Sequence, residues 1–234
     1  LLRQVVMSAT YRQDAVTSAE RLRLDPKNRL LSRGPRTRLA AEMVRDQALF
    51  LSGLIVEKHG GPSMWVYQPV GLWREVEKRG TFKQDHGEKL YRRSLYTVWK
   101  RTAPPPSMAI FDAPSRETCS VRRLNTNTPL QALVMQNDPQ FLEAARALGD
   151  LMAAEGSPQN GLDLGAKRVL GRAPTTKELD VLSAALVRYR QAYQSQAEKA
   201  RQLLASAGAS GSGDPVQVAW TLVASTLLNM DEAM

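Results

Sequence analysis

Cap-and-proline signals in the second half of the chain constrain its fold more than any other feature. Thr128-Pro129-Leu130-Gln131 places a threonine at an N-cap, a proline at the first helical position and a glutamine where a capping box needs one. Asp138-Pro139 repeats the cap and the proline, and predicts a helix with Phe141, Leu142, Ala145, Leu148, Leu151 and Met152 on one stripe. Thr175 and Glu178 form a further capping box, opening a long helix to about Ala207 whose inward face is Leu179, Leu182, Leu186, Tyr189, Tyr193, Ala200 and Leu203. After the turn ASAGASGSGDP, Asp214-Pro215 caps a last helix with Val216, Trp220, Val223 and Leu227 inward. These starts predict an antiparallel helical array over 131–234.

The first half is less regular. A helix is expected from about Arg38 to Glu57, with Met43, Gln47, Phe50, Leu51 and Leu54 buried and Gly60-Gly61-Pro62 ending it. Another is expected from His86 to Lys100. Between and after them lie the loops GGPSMWVYQPVGLW and TAPPPSMAIFDAPS, long enough to be functional or to cover a neighbouring surface. The class expected is therefore all-α, an irregular multi-helix array with long Pro/Gly-rich loops and room for a short β-hairpin near 64–82. Residues 1–130 form a basic, loop-rich helical part and 131–234 the antiparallel part, together one compact domain. The opening LLRQVVMSATYRQ has no signal-peptide layout and reads as the end of an amphipathic helix, so a C-terminal fragment of a larger protein is expected. No run approaches the roughly 20 apolar residues of a membrane span.

Charge is distributed unevenly. Residues 1–130 carry 23 Lys/Arg against 12 Asp/Glu, a net of +11, whereas 131–234 carry 9 against 11, a net of −2. A field of this sign attracts nucleic acid, acidic lipid, sulfated or uronic polysaccharide, or an acidic neighbouring domain. The competing reading is that many of these arginines pair with local carboxylates or are simply solvated.

Chemistry-bearing residues are sparse. His59 and His86 stand in separate segments without a cysteine or carboxylate at ligand spacing, so no metal site is expected, and no phosphate loop, zinc motif, nucleophile elbow or CxxCH is present. Cys119 is the single cysteine, either a packing residue or a thiolate favoured by Arg116, Arg122 and Arg123. The densest polar constellation is Asp112, Arg116, Glu117, Arg122, Arg123, Asn125, Thr126 and Asn127, just before the Thr128 cap. Arg92 and Arg93 extend it upstream among Tyr91, Tyr96 and Trp99, which belong to a groove or to a core. Guanidinium forks suit carboxylates and oxyanions, and a helix N-terminus adds backbone donors. A second cluster, Arg29, Arg33, Arg36, Arg38, Glu42, Arg45 and Asp46, includes the i,i+4 pair Arg38/Glu42. Both clusters read as ligand sites or as internal networks locking loops to helices.

At SATYRQ, DPKNRLLSRGPRTRLAAEMVRDQAL, GGPS, YQPVGLW, YRRSLYTVWKRTAPPPSMAIFDAPSRETCSVRRLNTNTPLQALVMQNDPQF and LLNMDE the chain closely resembles the planctomycete PSD-one domain family, a domain of unknown function. The resemblance implies a C-terminal position behind cytochrome-c-like and PSCyt-type domains. It also implies export to the periplasm or cell envelope and a link to polysaccharide use. It implies haem c in an upstream domain of the parent protein, with no cofactor in this chain, and it transfers no catalytic residue. Two functions follow. One is a non-catalytic docking or binding module of an exported, cytochrome-c-associated protein, with upstream domains of the same protein or an anionic polysaccharide as partner. The other is an oxidoreductase or hydrolase acting on anionic glycans, with Asp112, Glu117 and Arg116 in acid, base and oxyanion roles. Nucleic acid is disfavoured because the implied export removes it from reach.

Overall fold

The cap signals decide most of the second half. In the computed structural model, which describes residues 1–73, 82–209 and 213–234, Thr128 and Gln131 close their capping box at the start of a helix over Pro129–Asn137, and Asp138 caps Pro139–Ala153. Thr175 and Glu178 close theirs at Thr176–Gln194, and Asp214 caps Pro215–Leu228. In chain order the helices lying wholly among the described residues are α1 Leu2–Met7, α2 Ala19–Leu24, α3 Ala41–Leu51, α4 Pro106–Ile110, α5 Pro129–Asn137, α6 Pro139–Ala153, α7 Pro158–Leu170, α8 Thr176–Gln194, α9 Ala197–Ser206 and α10 Pro215–Leu228. The fold is all-α. Pairing among the described residues is limited to isolated bridges, including Val56 with Arg92 and Met64 with Thr97.

The chain divides into two units, Leu1–Arg38 and Leu39–Met234. In the first, α1 and α2 bury no residue. Its order comes from a polar loop instead. The buried Asp25 carboxylate accepts from the backbone N–H groups of Arg29 and Leu30, both at 2.8 Å. Arg33 donates to the carbonyls of Asp25 and Pro26, both at 2.9 Å.

The second unit is built around α6 and α10. Leu148 and Met152 of α6 meet Trp220, Val223, Ala224 and Leu227 of α10, and Leu162 of α7 and Leu182 of α8 complete this core. Glycines make the approach possible. A Cβ on Gly149 would lie 2.8 Å from the Trp220 carbonyl carbon, and one on Gly161 would lie 2.3 Å from the Met152 carbonyl oxygen. Behind them Arg172 fastens three segments, since its guanidinium is bidentate to Glu178 at 2.8–2.9 Å and reaches both oxygens of Glu232 at 2.7 Å. Those bonds, with the Thr175 donors, pull the Glu178 carboxyl down to about 2.

Several expectations are corrected. The helix expected over 38–57 is only Ala41–Leu51 and ends where Gly53 turns left-handed at φ 76°. Its buried face is Ala41, Val44, Arg45, Ala48, Leu49 and Leu51, while Met43 and Phe50 are exposed. The stripe is displaced by one position, roughly 100° around the axis, because an arginine holds the centre of the buried face. The helix expected over 86–100 is replaced by two short 3₁₀ turns, Gly87–Lys89 and Ser94–Tyr96. Backbone carbonyls there are engaged elsewhere: Arg45 takes those of Leu90 and Arg92, and Val56 N–H takes that of Tyr91. The long helix to Ala207 breaks at Ser195 and Gln196 into α8 and α9. No hairpin forms among the described residues of 64–82, where Trp65 instead exchanges bonds with Asp85; residues 74–81 lie outside the description. Part of the expected turn, 210–212, also lies outside it. Helix α7 was not anticipated, although Ser157-Pro158 has the same cap-and-proline form and Ser157 accepts from Asn160 N–H at 3.2 Å.

Candidate functional site: a bolted basic loop

The residues from Asp112 to Asn127 form a loop whose ends are fixed by one network. Phe111, at the end of α4, is buried edge-on against Phe141 with ring centroids 6.1 Å apart. The chain then reverses at Asp112, which adopts φ 61°. Its carboxylate accepts from both the N–H and the hydroxyl of Thr126, each at 2.7 Å. Gln131, buried in the first turn of α5, donates to the Ile110 carbonyl at 2.9 Å and to the Thr126 hydroxyl at 3.2 Å. Its amide oxygen meanwhile accepts from Thr128 N–H at 3.2 Å. The glutamine therefore serves as capping-box residue and as loop bolt together. Ends held this close around a run of polar residues make an Ω-loop.

Two further contacts brace the middle. Trp99 donates its indole N–H to the Ser115 carbonyl at 3.1 Å, and the Arg116 guanidinium lies over its ring 4.6 Å from the centroid. Arg123 is bidentate to Glu42 of α3 at 2.7 and 3.2 Å. Partial burial raises the Glu42 carboxyl, but the Arg123 bonds and the charges of Arg123 and Arg116 outweigh it and hold the group below its ordinary value. Glu42 thus pairs with an arginine 81 residues away, a partner that helical spacing cannot reveal.

Between these braces the side chains of Glu117, Thr118, Cys119, Ser120, Val121 and Arg122 are exposed, and so are Leu124, Asn125 and Asn127. Arg122 makes no ion pair or hydrogen bond with another described residue. Cys119 is a free, exposed thiol and not a packing residue. Glu117 is exposed, whereas the Asp112 carboxylate is occupied by Thr126.

Arg92 and Arg93 are placed apart from this loop. Arg92 is buried; its guanidinium donates to the carbonyls of Pro62 at 2.6 Å, Lys58 at 3.0 Å and Gly60, and stacks 3.7 Å from the centre of the Tyr96 ring. It folds the loop 58–62, and its two terminal nitrogens are spent on those carbonyls while its buried Nε has no partner. Arg93 is half exposed and lies 3.6 Å from Asp46. The aromatics divide likewise: Tyr96 and Trp99 carry stacked arginines, and Tyr91 donates its hydroxyl to Glu143. Burial, then that bond, push the Tyr91 phenol up to about 12.

The Glu42–Arg123 brace has a testable acid signature. A carboxyl held below its unfolded value contributes stability that is complete above the ordinary carboxylate pKa and is lost as pH falls through the lowered one. Glu42→Gln is expected to destabilise the fold at pH 7 by about 1 kcal/mol, the upper end for a partly exposed bidentate pair. The difference from the parent should shrink below pH 4 in urea titrations monitored by circular dichroism; a difference that stays constant with pH would remove the brace from the argument.

A family model described as PSD1, protein of unknown function (DUF1553), matches residues 1–186, which takes in the whole of the bolted loop. No curated protein shows significant similarity to the chain, and no solved structure does. Among the described residues no helix is long and apolar enough to cross a membrane.

Proposed function

Since the chain belongs to the PSD1 family of proteins of unknown function, we propose that it is a binding module whose contact element is the bolted loop 112–127 and whose ligand is acidic. One observation carries this reading. The residues that support the loop, Asp112 and Thr126 within it and Trp99 and Gln131 behind it, are spent on holding its shape, while Arg122, Asn125 and Asn127 are displayed without a described partner. A loop held rigid from behind presents its outer side chains with little further ordering cost on binding. The displayed groups are donors suited to carboxylate or sulfate.

We take up the expectation, drawn from sequence resemblance alone, of an exported, cytochrome-c-associated protein linked to polysaccharide use, and on it an anionic glycan is the first ligand proposed. The acidic face of an upstream domain is the alternative occupant of the same loop. The enzymatic reading gains no support from the site, since Asp112 is committed to Thr126.

The test is binding of the folded protein to sulfated and uronic polysaccharides at low and moderate salt. Saturable binding that weakens by about tenfold or more in Arg122→Ala, but not in Arg93→Ala, supports the reading. Binding that is unsaturable, or equally weakened by both changes, reduces it to general electrostatics.

A further inference from the structure

Helices α7, α8 and α10 leave a gap on one side of the second unit. Pro158 and Gln159 of α7, four residues of α8 between Ser183 and Arg190, and Val216, Ala219 and Trp220 of α10 surround an open cavity of about 280 Å³. Ser183 and Ala219 are the small residues in its lining. Its walls are apolar: Leu186 and Val187 on one side, Val216 and Trp220 on the other. Val187 remains 54% exposed and Val216 39%, so the fold does not cover this surface with its own described side chains. None of these residues belongs to the loop 112–127.

The polar groups are few. Arg190 is the one charged residue among those lining the cavity, with Ser183 and Gln159 as neutral companions. It makes no ion pair or hydrogen bond with another described residue, although charged pairs are frequent elsewhere in this unit. Apolar walls with a small number of polar groups are the makeup of a small-ligand site, and this volume lies just below the usual range of about 300–1,000 Å³. The one uncompensated charge decides the ligand class, since a cation at the edge of an apolar cavity favours an anion and disfavours a second cation.

We propose that this cavity binds an amphipathic monoanion, an aliphatic or aromatic carboxylate, with its apolar body against Trp220, Leu186 and Val216 and its headgroup on Arg190. The binding is non-covalent, and its size limits the ligand to a short or medium chain.

Decanoate and decyltrimethylammonium below their micellar concentrations, and 1-decanol below its aqueous solubility, are the probes for calorimetric titration of the intact chain. Saturable binding of decanoate with one site is expected, weaker binding of the alcohol and none of the cation. Arg190→Gln should weaken decanoate by about tenfold or more while leaving the alcohol unchanged. Val187→Trp, at an exposed position that leaves the core intact, should fill the cavity and abolish both, with an unaltered far-UV spectrum. Equal binding of all three probes, or decanoate affinity unchanged in either variant, would overturn the assignment, as would a failure of decanoate to saturate. Loss of polysaccharide binding in the loop variant leaves these titrations unaffected, so the two sites fail or stand separately.

Discussion

Arg45→Met is expected to destabilise the second unit by about 3–5 kcal/mol, the range found when one partner is removed from a buried charged network. Arg45 is 3% exposed on the inner face of α3. Its Nε donates to Gln140 Oε1 at 2.8 Å, one terminal nitrogen to the Arg92 carbonyl at 2.9 Å and the Ser94 hydroxyl at 3.2 Å, and the other to the Leu90 carbonyl at 2.6 Å. Burial pulls the guanidinium down to about 10, and the charges of Asp46 and Asp138 work against that pull. Methionine fills much of the space but donates nothing, leaving several buried acceptors unmade at about 1–3 kcal/mol each. Because those acceptors lie in the segment 90–94, the loss reaches beyond α3. Arg92 folds the 58–62 loop from the same segment, so the two arginines support one another in series. Arg45→Lys should recover only part of the loss, since an ammonium cannot reproduce the planar fork. Urea unfolding followed by circular dichroism measures both; a loss under about 1 kcal/mol for the methionine variant would show that the segment holds itself without Arg45.

The same residue explains where the sequence could be read and where it could not. Helix starts were legible because a cap acts within four residues: Thr128 with Gln131 and Thr175 with Glu178 both close as their spacing requires. Helix faces were legible where apolar residues dominate the buried stripe, as with Leu148 and Met152 in α6 or Val223 and Leu227 in α10, although Leu151 and Val216, expected inward, are exposed. They were misread in α3 because hydrophobic periodicity counts an arginine as surface, and Arg45 is core. The segment 86–100 failed for a related reason. Its pattern is compatible with a helix, but its carbonyls are taken by a guanidinium from 45 and 47 residues away. Such partners leave no local trace.

The candidate loop was half legible. Density of arginine, asparagine and aspartate before the Thr128 cap marked the right stretch, and the structure joins Asp112 to Thr126 within it. The division of labour inside that stretch was not visible. Arg123 and Arg122 are adjacent in sequence, yet one is committed to Glu42 and the other is displayed. Arg92, equally basic on paper, is buried under three carbonyls and a tyrosine. Charge alone does not distinguish a residue that holds the loop from one that the loop holds out.

Gly149→Ala is the second large effect expected, a net loss of up to about 2 kcal/mol. Two contributions oppose each other. Alanine in a helix interior is better than glycine by about 0.8–1.0 kcal/mol, which favours the variant. Against that, the new Cβ would stand 2.8 Å from the Trp220 carbonyl carbon and 2.9 Å from both Thr221 N and Trp220 O. These are backbone atoms of α10, so relief requires moving the helix that carries Val223, Ala224 and Leu227 into the core. Overpacking of this kind costs about 1–3 kcal/mol and sometimes more, so the steric contribution wins. Gly165 provides the control. There a Cβ would meet the Met152 side-chain tip at 2.6 Å and Leu227 Cδ1 at 3.1 Å. A methionine end can swing away within its rotamers, so Gly165→Ala should stay within about 1 kcal/mol of the parent. Thermal and urea unfolding of the two variants side by side separates backbone contact from side-chain contact. Equal losses at the two positions would mean that α10 yields as readily as a methionine tail, and the tight α6–α10 crossing would no longer account for the stability of this unit.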